Sequence, residues 1–538
     1  MLSQMLSGEY TGKPSSGVTF ISNLLGNSIS WIYQNFSIEI SIYGLMLSTS
    51  NLIILLAIVK IINVKRNNIA KWVGLVAIVL IFPVLILSPT FTITAILLIG
   101  LGILGITLFM LEDNKSNISF TFFLVMILLG ILIRMEALYG IIIFIIPTCL
   151  LFLVLNFSNK LQSRIIMFSI VTVFSILIVL FFQHIALNDL IKEDYEFSNY
   201  VRFQDVHHLL TYTPSYLKLH QEIIAGNAMR GIWSNVDFII LQNWAYADFT
   251  IFGFENMRLG SEYVSGFTGL KGLLAVDLVE TLKLITYLLK DQLSVILTLL
   301  VVSALILVNG INRNRTFILI ASLSLSYLSG FYFLAAVLRI PNRTSFPLLF
   351  IFLIFLVIIS DENARIFQRF LPRVILVALL SVLTISFHLN SDFGISKLIS
   401  SNENKLNFSA QRNSELEKFS KSATYVGPTT YFPTVNQGVL SKNLYWSSGE
   451  RILPLSWSTY SPNWYDMVRK LSLDESNIYL SLAKKENVYW VSNSYLAEIL
   501  DMYMNDRQIY RGKLCSVAKL SGPDQAEIFT YQAKEDDC

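Results

Sequence analysis

Charged residues are scarce in this sequence of 538 residues, in which Lys, Arg, Asp and Glu together make up 14%. Soluble globular domains carry about 25%. Apolar residues reach 54%. This balance excludes a water-soluble enzyme, a disordered protein and a coiled coil, and it favours a polytopic membrane protein. The net charge of +3 gives no reason to expect nucleic acid as a partner.

Cysteine is scarcer still, with three residues in the whole chain. That number excludes a disulfide scaffold and a cysteine-rich metal site. Cys149 lies in an apolar run, where it is expected to fill a small gap. Cys515 and Cys538 lie in the polar C-terminal region, and their spacing is compatible both with a disulfide and with two free thiols.

Ten apolar runs are candidates to cross a bilayer as helices, since about 20 residues span its hydrocarbon core and the backbone must hydrogen-bond within itself there. The runs are 39–62, 72–89, 91–111, 119–134, 137–157, 165–187, 290–309, 316–338, 346–360 and 374–389. The loop containing Lys65 and Arg66 is basic, as are most of the alternate loops that follow. The positive-inside rule therefore places this set of loops in the cytoplasm. Residues 1–38, 188–289 and 390–538 then lie outside it.

Three regions outside the apolar runs complete the predicted organisation. In the polar segment 1–38, Leu24–Phe36 is expected to be an interfacial helix. The aromatic-rich loop 188–289 is expected to contain an amphipathic helix at Leu270–Leu289. In residues 390–538, short strand-like runs alternate with helical ones, which predicts a small α/β domain. The strand-like runs are Ala423–Val426, Asn487–Ser492 and Glu527–Tyr531, and the helical ones are Asn413–Lys421, Asn463–Leu471 and Ser494–Asn505.

The predicted fold class is therefore an α-helical polytopic membrane protein with about ten transmembrane helices and a C-terminal extracytoplasmic α/β domain. Its predicted parts are the outer segment 1–38, six helices in 39–187, the large loop 188–289, four helices in 290–389 and the soluble domain 390–538.

Charges at the outer ends of membrane helices are costly, which makes them candidates for function. Arg134 and Glu136 lie where the fourth run ends and the fifth begins almost at once. Such an Arg is suited to bind a phosphate, and the Glu to orient it or to act in acid–base chemistry. The alternative is a pair that neutralises itself while capping two helices.

A second group of polar residues occupies an outer turn bracketed by prolines. It contains Arg339, Asn342 and Arg343. The positive-inside rule disfavours Arg in a short outer loop, and a phosphate or diphosphate ligand would compensate for it. Snorkelling to anionic lipid headgroups is the alternative.

The third group lies in the glycine- and proline-rich stretch Gly8–Pro14, which requires a turn. Glu9, Tyr10 and Lys13 are candidates there to hold a polar substrate, and a plain surface turn is the alternative. In the long loop, Trp244 and Asp248 are candidates to bind a sugar ring, with interfacial anchoring of the aromatic residues as the alternative.

A divalent metal has weak candidate ligands in Asp205, His207 and His208, but no further ligand follows at a fixed spacing. The sequence therefore assigns neither a metal nor another cofactor.

The segment Met5–Pro14, followed by Ile32-Tyr33 and Ser41–Gly44, is similar to the first outer loop of bacterial members of the GT-C superfamily of integral-membrane glycosyltransferases. Arg134-x-Glu136 resembles their second polar element. The resemblance implies helices around an outer-face site in the bacterial cytoplasmic (inner) membrane, with a soluble domain at the C-terminus. It also implies transfer of a hexose or pentose from a polyprenyl-phosphate-linked donor to a cell-surface glycan, lipid or protein.

For the mechanism, the resemblance implies inverting displacement, with Glu9 or Glu136 as the carboxylate and with Arg134, Arg339 and Arg343 on the donor phosphate. GT-C proteins usually carry acidic residues after a first helix, whereas here the corresponding loop begins almost at Met1. We therefore expect an additional helix upstream, and the alternative is that this chain lacks the usual base. The alternative readings are a polysaccharide polymerase or ligase, and a non-catalytic transporter or scaffold of surface-polysaccharide assembly.

Overall fold

The computed structural model describes most of the chain. The described residues are 2–7, 11, 13–18, 20–36, 38, 40–64, 68–111, 117–156, 159–212, 215–225, 229, 232–243, 245–265, 292–309, 313–337, 342–359, 370–420, 422–432, 451–509, 512–522 and 524–533. The predicted helix at Leu270–Leu289 lies outside them.

The N-terminal half is helical. Two helices precede the first apolar run, and the one at Asn23–Asn35 falls where the sequence predicts an interfacial helix. The helices are α1 (Leu2–Ser7), α2 (Asn23–Asn35), α3 (Ile42–Val64), α4 (Asn68–Leu87), α5 (Phe91–Leu111), α6 (Asn117–Ile133), α7 (Glu136–Phe144), α8 (Ile146–Leu155) and α9 (Asn159–Glu193).

The long loop is also helical where it is described, and four further apolar helices follow it. Those of the loop are α10 (Tyr195–Tyr212), α11 (Ser215–Ile224), α12 (Asn235–Gln242), α13 (Phe249–Phe252) and α14 (Phe254–Ser265). The apolar helices are α15 (Leu293–Asn309), α16 (Arg313–Val337), α17 (Asn342–Ile359) and α18 (Phe370–Asn390).

A helix occupies each of the ten predicted apolar runs, which confirms the helical membrane fold. Within the described residues, four helices are long and apolar enough to cross a membrane, or five if the bent pair α7–α8 counts as one span. Shorter apolar helices accompany them. The chain is a multi-pass membrane protein.

The fifth run differs from the prediction of a single straight helix, because α7 and α8 are bent by 44°. The break lies at Ile145, and Pro147 occupies the first turn of α8. Proline lacks an N–H group and clashes with the carbonyl four residues earlier, so a helix that continues past it bends or restarts. The run is apolar on both sides of the break, so its composition alone predicts one continuous helix.

Helix α5 lies at the centre of the bundle, and 94% of its most apolar 18-residue stretch is buried. A Cβ on Gly102 would come within 2.6 Å of Ile127 on α6, and one on Gly100 within 2.2 Å of Ile351 on α17. Both glycines thus allow neighbouring helices to approach closely, as small residues do in membrane bundles. By contrast, only 6% of the most apolar 18-residue stretch of α9 is buried.

The C-terminal region is an α/β domain, as predicted. Helix α19 (Ile395–Phe419) leads into it, and the other elements are β1 (Thr424–Pro428), β2 (Ile452–Leu455), α20 (Pro462–Lys470), α21 (Ile478–Lys484), β3 (Val488–Asn493), α22 (Ser494–Asp506), β4 (Gly512–Lys519) and β5 (Ala526–Ala533). The strand order is β2-β1-β3-β5-β4. Strand β1 runs parallel to β2 and β3, and β5 runs antiparallel to β3 and β4. The carboxyl ends of β1, β2 and β3 therefore share one edge of the sheet.

That edge of the sheet faces the rest of the chain. Trp457 follows β2, and its carbonyl accepts hydrogen bonds from the Tyr200 hydroxyl at 3.0 Å and from the Gln204 amide at 2.7 Å. The Tyr246 hydroxyl donates to the carbonyl of Ser456 at 3.1 Å. Helix α10 and the segment around Tyr246 therefore join the long loop to the end of β2.

Cys515 on β4 is disulfide-bonded, whereas Cys149 on α8 is a free, buried thiol. Cys538 lies outside the described residues.

Candidate functional site

Arg134 and Met135 form the two-residue connection between α6 and α7, and Glu136 is the first residue of α7. The Arg134 N–H donates to the Gly130 carbonyl at 2.9 Å, so the α6 hydrogen-bond pattern extends to the arginine. The arginine Nε lies 3.6 Å from Glu136 Oε2. The arginine side chain is 20% exposed and the glutamate side chain 57% exposed. The pair is open to a ligand on its glutamate side.

The start of α5 holds the Arg134 guanidinium from another direction. Its Nη1 donates to the Thr92 hydroxyl at 2.5 Å, and its central carbon lies 5.1 Å from the centre of the Phe91 ring. A hydrogen bond and a cation–π contact together fix the charge at the end of the helix bundle. Thr92 and Phe91 are 42 and 43 positions earlier in the sequence, so no local sequence pattern predicts that they meet Arg134.

Several helices begin around Arg134. Helices α5 and α7 start at Phe91 and Glu136, in contact with it, and α3 starts at Ile42. Tyr43, the second residue of α3, is close enough to interact with the arginine charge. Because unpaired N–H groups and the helix dipole make each N-terminus positive, this corner of the molecule favours anions.

The N-terminal segment and the C-terminal domain border the same corner. The Phe20 ring lies 6.3 Å from the Phe91 ring and 4.8 Å, edge-on, from the Trp457 ring. The Ser22 N–H donates to the Leu132 carbonyl at 3.0 Å, two residues before Arg134. The site therefore combines the ends of membrane helices with the loop that follows β2.

The other predicted site residues are placed only in part. Lys13 is exposed, and its N–H donates to the Thr11 hydroxyl at 3.3 Å. Arg343 is exposed near the start of α17, where Asn342 is the first residue. Other predicted groups lie outside the described residues, namely Glu9, Tyr10, Trp244, Arg339 and the side chains of His208 and Asn342. Their roles stay predictions.

Asp248 is 1% exposed and lies between the long loop and the C-terminal domain. Its Oδ1 accepts from the Thr250 N–H at 2.9 Å, and its Oδ2 accepts from the Asn477 amide and the Tyr503 hydroxyl, both at 2.7 Å. Burial and the adjacent Asp248 charge raise the pKa of Tyr503, which keeps its hydroxyl a donor. Protein groups thus surround the carboxylate that was predicted to bind substrate.

Asp205 and His207, two of the weak metal-ligand candidates, lie in different environments. Asp205 is exposed, whereas His207 is buried, with its ring centre 5.7 Å from Phe203 and 4.8 Å from Tyr246. Within the part of the chain that the structure describes, no three His, Cys, Asp or Glu side chains are grouped to hold a metal ion.

No protein-family model matches the chain, and no curated protein matches it. Two solved structures resemble it, both of ArnT from Cupriavidus metallidurans, one in the apo state and one bound to undecaprenyl phosphate. Each has a TM-score of 0.37 and 11% sequence identity, over 98% of this chain and over 91% or 92% of the other. Score and identity are too low to establish a shared fold, and no property of those proteins is transferred to this chain.

Proposed function

We propose that this chain is a membrane glycosyltransferase that moves a sugar from a polyprenyl-phosphate-linked donor to an acceptor at the outer face of the membrane. The observation that carries this proposal is the Arg134–Glu136 pair. A half-buried guanidinium lies at the end of apolar helices, next to an exposed carboxylate whose oxygen is 3.6 Å away. A lipid-linked phosphate would place its negative charge at the end of the apolar helices, next to Arg134. The attached sugar would then lie farther from the lipid.

In the proposed reaction, Arg134 binds the donor phosphate and stabilises the charge that grows on it as the bond to the sugar breaks. A carboxylate, Glu136 or Glu9, removes the proton from the acceptor hydroxyl. The acceptor oxygen then bonds to the anomeric carbon from the opposite side while the bond from that carbon to the phosphate oxygen breaks. Polyprenyl phosphate leaves, and the configuration at the anomeric carbon is inverted.

The proposed location of the C-terminal domain is outside the cytoplasm of a bacterial inner membrane. The disulfide at Cys515 supports this, because such bonds persist in oxidising compartments and are rare in the cytosol. The basic loops on the opposite side support the same orientation. The acceptor is proposed only as a cell-surface glycan, lipid or protein.

The experiment is an assay of the purified full-length protein in nanodiscs with a panel of undecaprenyl-phosphate-linked hexoses and pentoses, and it measures release of undecaprenyl phosphate. We expect release by the wild type and loss of it in Arg134→Gln and Glu136→Gln. Matched controls are Arg258→Gln and Glu262→Gln, which change an exposed ion pair on α14. If the wild type releases nothing from any donor, or if both site variants release it at the wild-type rate, the proposal is wrong.

A further inference from the structure

Two buried hydroxyl groups beside Arg134 have no hydrogen-bond partner among the residues that the structure describes. They belong to Tyr43, which is 7% exposed, and Ser22, which is 1% exposed. A buried hydroxyl without a partner is costly, by an amount comparable to a hydrogen bond, and such groups are usually satisfied. A bound ligand at this corner would supply the partner that the described residues do not.

Both hydroxyls belong to the same corner as the guanidinium. Tyr43 lies within the electrostatic range of Arg134. Ser22 donates its N–H to the Leu132 carbonyl, next to the end of α6, and Phe20, two residues earlier, contacts the Phe91 ring over which Arg134 lies. The two orphaned groups thus approach Arg134 from α3 and from the N-terminal segment.

Ser22 is also the residue at which α2 begins, yet its side chain makes no capping hydrogen bond to that helix. Serine at this position normally accepts a bond from a backbone N–H two or three residues later. The first N–H groups of α2 are therefore not satisfied by this side chain. An anion next to Ser22 would meet these N–H groups and the serine hydroxyl together.

We propose that Tyr43 and Ser22 are phosphate-binding residues, whose hydroxyls donate to the oxygens of a polyprenyl phosphate held by Arg134, the monoester that transfer releases from the phosphodiester donor. The inference rests on the proposed function for the identity of the lipid, and the anion site is inferred from the two buried hydroxyls and the Arg134 charge near them. A monoester fits because it offers three oxygens that are not bonded to carbon, and because the corner supplies one guanidinium, two hydroxyls and the positive ends of helices.

Binding is measured on the full-length protein in nanodiscs by calorimetry, with undecaprenyl phosphate as the probe and with inorganic phosphate in a separate arm. We expect Tyr43→Phe and Ser22→Ala each to raise the Kd for undecaprenyl phosphate about tenfold or more, as expected for a lost hydrogen bond to a charged group. Matched controls are Tyr139→Phe, an exposed tyrosine on α7, and Ser28→Ala, an exposed serine on α2. These two variants should keep the wild-type Kd. Melting curves without ligand exclude a general loss of folding.

The outcomes separate this inference from the proposed function. If Arg134→Gln lowers transfer while Tyr43→Phe and Ser22→Ala leave both Kd and transfer unchanged, the two hydroxyls do not bind phosphate. If the wild type transfers no sugar but the two variants weaken undecaprenyl phosphate binding, the phosphate site stands and the transferase proposal fails. Inorganic phosphate that binds as tightly as the lipid would overturn the assignment to a lipid-linked ligand.

Discussion

The guanidinium of Arg507, the residue that follows α22, donates to the carboxylate of Asp237 on α12, and its Nε lies 3.2 Å from Asp237 Oδ1. The same arginine donates to the Ile232 carbonyl at 2.6 Å. Asp237 is 1% exposed and also accepts the N–H of Ser234, at the start of α12. The pair fastens the long loop to the C-terminal domain, and its charges raise the pKa of Arg507 despite the opposing effect of burial.

Asp237→Asn is expected to lower the free energy of unfolding by about 2 kcal/mol or more, since it leaves the Arg507 charge without its buried counter-ion. Thermal unfolding of the full-length protein in detergent, followed by tryptophan fluorescence, measures the change. Arg258→Gln on α14 removes an exposed ion pair in the same loop and should change the unfolding temperature far less. Equal shifts for the two variants would contradict a special role for the Asp237–Arg507 pair.

Asp248→Ala should loosen the same contact, because it leaves the Asn477 amide and the Tyr503 hydroxyl without their acceptor. We expect a loss of about 3 kcal/mol, against about 1 kcal/mol for Tyr503→Phe, which removes a single donor. Hydrogen exchange at the amides of Phe249 and Ile478, which bond across this contact to Ser476 and Ala247, should accelerate more in the alanine variant. Unchanged protection in Asp248→Ala would show that the carboxylate does not hold the contact.

The stability of the C-terminal domain should depend on pH through Asp501. Burial raises the pKa of this carboxyl to about 6, even though it accepts the Leu514 N–H at 2.7 Å. The folded state therefore holds the proton more tightly than the unfolded state, whose Asp titrates at about 3.9. Its contribution to stability is full below that value and is lost as the pH rises through about 6.

Asp501→Asn tests this dependence, since the amide oxygen still accepts the Leu514 N–H and no longer titrates. The wild type should lose stability relative to this variant between about pH 4 and 6, when unfolding of the domain is measured by denaturant titration at each pH. Parallel curves for the two proteins across that interval would refute the raised pKa.

Arg134→Lys separates charge from shape at the candidate site. Lysine keeps the positive charge but lacks the planar set of donors that holds Thr92 and a phosphate together. We expect kcat/KM for sugar transfer to fall roughly 100-fold, the scale seen when one charge-stabilising donor is removed. Lys470→Arg, an exchange in the opposite sense at an exposed position at the end of α20, serves as the reference. A lysine variant with full activity would mean that only the charge matters.

The membrane helices were predictable because an apolar run in lipid has no other way to satisfy its backbone. Strands β1, β3 and β5 were also predictable from their apolar and aromatic residues. Strand β2 was missed because it has four residues and contains Pro454. Proline is tolerated on an edge strand, and β2 is at the edge of the sheet.

The candidate site was predictable only where its residues are neighbours in the sequence. Arg134 and Glu136 lie two positions apart at the end of an apolar run. The free-energy cost of charges at that position therefore marked them as candidates from the sequence alone. Thr92, Tyr43 and Ser22 are ordinary residues in ordinary surroundings, and only the packing of α3, α5 and α6 brings them to the arginine. That the two hydroxyls lack a partner among the described residues is a result of that packing, and no sequence pattern indicates it.

The length of α9 determines how far from the membrane the long loop begins. Its candidate membrane-spanning stretch, Gln162–Glu193, covers 32 residues, which is about 48 Å at 1.5 Å per residue, whereas the hydrocarbon core is about 30 Å thick. An upright α9 would therefore extend well beyond the lipid, and a strongly tilted one would stretch sideways from the bundle. In the upright case α9 works as a spacer that holds α10 and the docked α/β domain above the headgroups.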